Sequence, residues 1–155
     1  KENNWRRTTS SKLKLVNILL VAIGGSLGAS LRYLAYLMFK SYIFTNYIFL
    51  STLFVNVLGS FLIGLLITFM ETKNFSSDAI KYFLIIGVLG SFTTFSTFSF
   101  ESVDLLLSKK FLQAFSYMFL SLSLCLLFTF LGLNINKLIN WLKKLKLLKV
   151  LKIKD

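Results

Sequence analysis

The 155-residue chain has no histidine, no proline and a single cysteine, Cys125. Without histidine there is no Ser–His–Asp triad and no Cys–His couple, and one cysteine alone falls short of a structural zinc site. A disulfide within the chain is impossible. Acidic residues are scarce: six Asp and Glu stand against 18 Lys and Arg, for a net charge of +12. Charged residues make up only 15% of the chain, where a soluble domain carries about 25%. Mean hydropathy is +0.72 and 55% of residues are hydrophobic. A soluble, basic nucleic-acid binder needs a polar surface that this composition cannot supply. What remains is an integral membrane protein with no enzymatic machinery.

A helix crossing a bilayer needs roughly 20 mostly apolar residues. Four stretches qualify, at about 13–38, 47–70, 82–107 and 111–133. Continuous apolar runs with short connections predict helices, because a barrel would show alternating segments of about ten residues. The first run is too long for a cleaved signal peptide and carries glycines and an arginine in its core. The fold class is therefore all-α, with one four-helix membrane domain over 13–133. A polar, basic tail at 1–12 reads as frayed, and its first residue, Lys1 in place of Met, reads as a trimmed start. At 134–155, Ile135, Leu138, Ile139, Leu142 and Leu145 share one helical face opposite Lys137, Lys143 and Lys144, which predicts an amphipathic helix resting on anionic lipid.

Four spans put both termini and the second connection on one side. That side holds 14 Lys and Arg, the other only Lys40, Lys109 and Lys110, and Arg32 lies inside the first span. This bias predicts a multi-pass protein of the cell inner (plasma) membrane with cytoplasmic termini.

The polar residues inside the spans carry the functional information. In the first, GGSLGASLRY sets Gly24 and Gly28 at a spacing that lets a second backbone approach, and plain packing is the preferred reading. Arg32 costs several kcal/mol in lipid unless it snorkels or faces water; it is either an interfacial anchor or a cation lining an aqueous vestibule. In the second span, Thr52 and Asn56 share a face, followed by Gly59 and Ser60. The Asn56 amide is either glue between helices or a donor to an anion stripped of water. In the third, GVLGSFTTFSTFSFES packs Ser and Thr between Phe92, Phe95 and Phe98. Such a cluster favours a break near mid-membrane over a continuous helix with hydroxyls bonded to their own backbone. Phenylalanine ring edges there can face an anion. In the fourth, Tyr117, Ser121, Cys125 and Thr129 form a polar stripe that either packs or lines a path. Cys125 itself reads as a small hydrophobe. No acidic group sits mid-span in the first two helices, so a proton-coupled cation exporter lacks its carrier. The inventory favours an anion pathway.

GGSLGASLRY, VNVLGSFLIG and GVLGSFTTFSTFSFES, in that order on three successive spans, resemble the Fluc (CrcB) family of fluoride channels over about Ile23 to Thr129. The resemblance implies antiparallel dimers of four-helix subunits, with two fluoride pores and a structural sodium ion (Na+) at the dimer interface. It implies passive export of fluoride that keeps the cytoplasmic concentration low. Carried onto this chain, Asn56, Phe95, Phe98, Thr52, Tyr117 and Ser121 match the pore residues. Arg32 matches the vestibule arginine, and Glu101 the acidic residue closing the third helix. The backbone carbonyls of Gly90 and Thr93 fall where the family binds sodium. Two positions depart from the pattern: Ser91 stands where a second glycine is frequent, and Cys125 where serine or threonine is usual.

Subunits that insert in both orientations need balanced flanking charge, so the bias of 14 to three predicts a fixed orientation. The obligate dimer would then pair this chain with an oppositely oriented homologue, a homodimer being the alternative. A small anion carrier and a non-transporting membrane subunit are the competing functional readings.

Overall fold

The computed structural model describes residues 2–42, 47–72 and 78–137. They are helical, with no strand among them. The order is α1 (Glu2–Tyr42), α2 (Phe49–Thr72), α3 (Asp78–Ile80), a π-helix (Lys81–Leu89), α4 (Gly90–Phe92), α5 (Phe95–Leu107) and α6 (Phe111–Leu133). Among the described residues, four segments are long and apolar enough to cross a membrane: Lys14–Ser41, Phe49–Glu71, Lys81–Leu107 and Phe111–Leu133. The chain is a multi-pass membrane protein by this measure. α1 begins three turns ahead of its apolar span, where the sequence reading expected a frayed tail. No glycine or proline interrupts Glu2–Lys14, so nothing in the polar stretch ends the helix. Of the C-terminal segment expected to be amphipathic, 138–155 lies outside the described residues.

Two close crossings hold the bundle, the first built on three glycines and the second on two. α1 lies against the π-helix, where a Cβ at Gly24 would run into the Phe83 carbonyl and one at Gly28 into that of Val88. Gly87 returns the contact, with Gly24 Cα 2.9 Å from where its own Cβ would sit. α2 lies against α6 in the same way: Cβ atoms on Gly64 and Gly132 would each meet the other helix's backbone. Without a hydrophobic force between helices in lipid, this closeness is how packing stabilises a membrane bundle. Thr68 adds a hydroxyl bond across the second crossing, donating to the Leu133 carbonyl at 2.9 Å. A smaller core joins α5 and α6 to α2, where Tyr117 packs between Phe49 and Phe98 at ring separations of 5.0 and 5.2 Å.

Only Ser108, Lys109 and Lys110 connect α5 to α6. Lys109 adopts φ 57°, its N–H reaching Leu106 O while that of Lys110 reaches Leu105 O. This is a Schellman ending with lysine at the left-handed position usually given to glycine.

Candidate functional site

Helical backbone stops at Phe92 and resumes at Phe95. Between them Thr93 takes φ −82°, ψ 155° and Thr94 φ −150°, ψ 118°. Each threonine terminates one helix with its own hydroxyl. Thr93 Oγ1 donates to the Leu89 carbonyl at 3.0 Å, alongside the Thr93 N–H at 3.1 Å. Thr94 caps α5, its Oγ1 accepting from the Thr97 N–H at 3.2 Å.

The interruption takes the Thr94 N–H from its helical acceptor, and α2 supplies a side chain that meets both Thr94 peptide groups. Asn56 Oδ1 accepts from the Thr94 N–H at 2.8 Å, and Asn56 Nδ2 donates to the Thr94 carbonyl at 3.1 Å. A backbone N–H only donates and a carbonyl only accepts, so this pair fixes which end of the amide is which. One Nδ2 hydrogen remains. The diverted donors also matter for α4. In a continuous helix the Thr94 N–H would bond Gly90 O, and the Thr97 N–H would bond Thr93 O. Here they go to Asn56 Oδ1 and Thr94 Oγ1. The carbonyls of Gly90 and Thr93 thereby lose their ordinary helical partners.

This junction opens on a cavity of about 310 Å³ lined by Asn56, Gly59, Ser60, Ile63, Leu89, Gly90, Thr93, Thr94, Phe95, Phe98, Ser121, Leu122 and Cys125. Phe95 and Phe98 meet at 5.5 Å between centroids, yet their situations differ: Phe95 is 73% exposed and Phe98 8%. Gly59 leaves room for Thr93, whose Cγ2 a Cβ would strike. The buried Ser121 Oγ has no hydrogen-bond partner among the described residues.

Glu101 organises a second polar cluster. One carboxyl oxygen accepts from Thr52 Oγ1 at 2.9 Å and the other from Tyr117 OH at 2.7 Å, tying α5 to α2 and α6. A second cavity of about 300 Å³ lies beside it, lined by Arg32, Tyr33, Tyr36, Thr52, Thr94, Thr97 and Glu101 among others. Lys40 stands over the Tyr36 ring at 6.0 Å, one turn beyond Tyr36 and two beyond Arg32 on the same face of α1.

Residues 19–133 match the family model described as CrcB-like protein, Camphor Resistance (CrcB). The chain belongs to the CrcB family. It is 43% identical over 120 residues to the fluoride-specific ion channel FluC of Flavobacterium psychrophilum, covering 77% of this chain and 96% of that one. It is 45% identical over 116 residues to the fluoride-specific ion channel FluC of Shewanella baltica, covering 75% and 92%.

Within this CrcB chain, the residues singled out in the sequence fall into two groups. Asn56, Phe95, Phe98, Ser121, Gly90 and Thr93 share the first cavity. Thr52, Arg32 and Glu101 share the second, and Tyr117 joins them through its hydroxyl without lining the first. Thr94 is the residue that sequence reasoning passed over. It was one threonine among several, and what distinguishes it, the amide of Asn56, is 38 residues away. Among the described residues no three His, Cys, Asp or Glu side chains gather to hold a metal. A hard cation here would be held by backbone carbonyls, by amide or hydroxyl oxygens, or by water.

Proposed function

We propose that this chain is a subunit of a fluoride-selective channel that exports fluoride passively, with two pores per antiparallel dimer. The observation that carries the reading is the Asn56 amide, clamped by Thr94 with one N–H left over, in a cavity shared with the Phe95 and Phe98 rings and an unpartnered Ser121 hydroxyl. Fluoride is small and strongly hydrated, so a pore selective for it must replace water with several fixed donors. Amide N–H, hydroxyl and ring edge are such donors, and being neutral they also let the ion leave. The names of the relatives support the same anion. Arg32 belongs to a vestibule that concentrates anions, and Glu101 holds Thr52 and Tyr117 in position.

The dimer has support in the exposure of Phe95, whose ring stands largely uncovered at the cavity edge. A second copy or homologue laid on this face would complete the pore wall. The carbonyls of Gly90 and Thr93, deprived of their helical donors, fit a sodium ion held by backbone oxygens from both subunits; bound there, it would neutralise carbonyl dipoles at the dimer centre and supply no chemistry. The excess of flanking cations on one side supports cytoplasmic termini in the inner membrane and a partner of opposite bias.

Fluoride efflux from liposomes tests the reading, with the chain alone and with an oppositely biased homologue. Rapid, uncoupled, fluoride-selective flux is expected. Slow saturable exchange would make the protein a carrier, and no flux in either preparation would leave a non-transporting subunit.

A further inference from the structure

Ser121 and Cys125 lie one turn apart on α6, and both line the cavity of about 310 Å³. Ser121 is 5% exposed and its Oγ has no partner among the described residues. A buried hydroxyl left unpaired costs about 1–3 kcal/mol, so a polar guest belongs beside it. Each water takes up about 30 Å³ in the liquid, and the cavity holds several. Asn56, Ser60 and Thr93 also line the cavity, so the space one turn from Cys125 offers polar groups that can hold water, which thiol chemistry requires because the thiolate forms only where its charge is solvated. Cys125 is half-buried and is the only thiol in the chain, so no neighbouring cysteine of the same chain can capture it. Ile63, Leu122, Phe95 and Phe98 make the remaining wall apolar, a surface on which a small alkyl group settles readily.

We propose that Cys125 is a modification site at which a small sulfur electrophile of the alkyl thiosulfonate class forms a mixed disulfide and closes the cavity. The thiol first gives its proton to water. Sγ then attacks the sulfenyl sulfur, the Sγ–S bond forms, and the bond to the sulfonyl sulfur breaks. The electron pair leaves on the sulfinate, so the cysteine sulfur is oxidised and the reagent reduced. The alkylthio group then occupies space that the guest of Ser121 used. Closure of a pore rests on the function proposed above; the modification itself does not.

The test uses the full chain in liposomes treated with methyl methanethiosulfonate. Intact mass should rise by one methylthio group, fluoride efflux should fall at least tenfold, and dithiothreitol should reverse both. Cys125→Ala, and independently Cys125→Ser, should gain no mass, and each should keep its own untreated rate after treatment. A mass gain with efflux unchanged would overturn closure. A gain seen only after denaturation would overturn the site. An untreated chain that passes no fluoride would count against the channel reading, while the mass still decides whether Cys125 is modified.

Discussion

Asn56 and Thr94 exchange two hydrogen bonds across the interface of α2 and α5, the peptide N–H donating at 2.8 Å and the carbonyl accepting at 3.1 Å. The amide oxygen thus replaces the helical acceptor that the Thr94 N–H gives up, Thr94 Oγ1 takes the Thr97 N–H, and the amide N–H adds a bond to the Thr94 carbonyl. One side chain both stabilises the junction and presents a donor to the cavity.

Asn56→Asp separates these roles poorly. One carboxylate oxygen can still accept from the Thr94 N–H, but the other would face the Thr94 carbonyl. We expect fluoride flux to disappear and the folded state to lose about 1–3 kcal/mol. Parallel flux and thermal-unfolding measurements on detergent-solubilised protein check this; full stability with flux abolished would show that the clamp carries no structural weight.

The two phenylalanines should behave differently. Phe98 is buried against Tyr117, and Phe98→Ala should cost about 3–5 kcal/mol. Phe95 is 73% exposed, so Phe95→Ile should leave the subunit's unfolding midpoint nearly unchanged while abolishing flux. Equal destabilisation of both variants would contradict the exposure of Phe95.

Tyr117→Phe removes the bond of 2.7 Å to Glu101 while keeping the ring between Phe49 and Phe98. The expected loss is about 1–3 kcal/mol. Thr52→Val acts on the other carboxyl oxygen. Because both substitutions strip the same carboxyl, a double-mutant cycle should give non-additive unfolding energies.

At the first crossing, Gly24→Ala should lower stability by about 1–3 kcal/mol, since its Cβ meets main-chain atoms of the π-helix. Gly25→Ala is the control. Its Cβ would meet only the Ser91 hydroxyl, at 3.2 Å, which can rotate away. Size-exclusion profiles and unfolding midpoints for the two variants should diverge, and an equally damaging Gly25→Ala would undo the crossing geometry.

Much of the bundle was legible because a span advertises itself in composition, and residues four apart share a face. Thr52 and Asn56 were placed on one stripe of α2 on that ground, and both do reach α5, at Glu101 and Thr94. The density of Ser and Thr over 90–99 likewise marked the segment that Asn56 meets. Gly24 and Gly28 were correctly assigned to packing. What stayed hidden depends on register between helices distant in sequence. Nothing local distinguishes Thr94 from Thr93, or shows that Gly64 sits opposite Gly132 and Gly87 opposite Gly24. The π winding of Lys81–Leu89 is equally silent, because its apolar residues would suit an α-helix as well.

The three-residue link between α5 and α6 bears on how the protein reaches its membrane. Two apolar helices joined so tightly suit entry into the bilayer as a paired hairpin, with Ser108, Lys109 and Lys110 at its tip. Carrying that tip across means moving two ammonium groups through hydrocarbon. A tip so short gives the insertion machinery almost nothing else to sense. Those two lysines therefore resist the very translocation that the larger cation excess of the tails and the second connection favours.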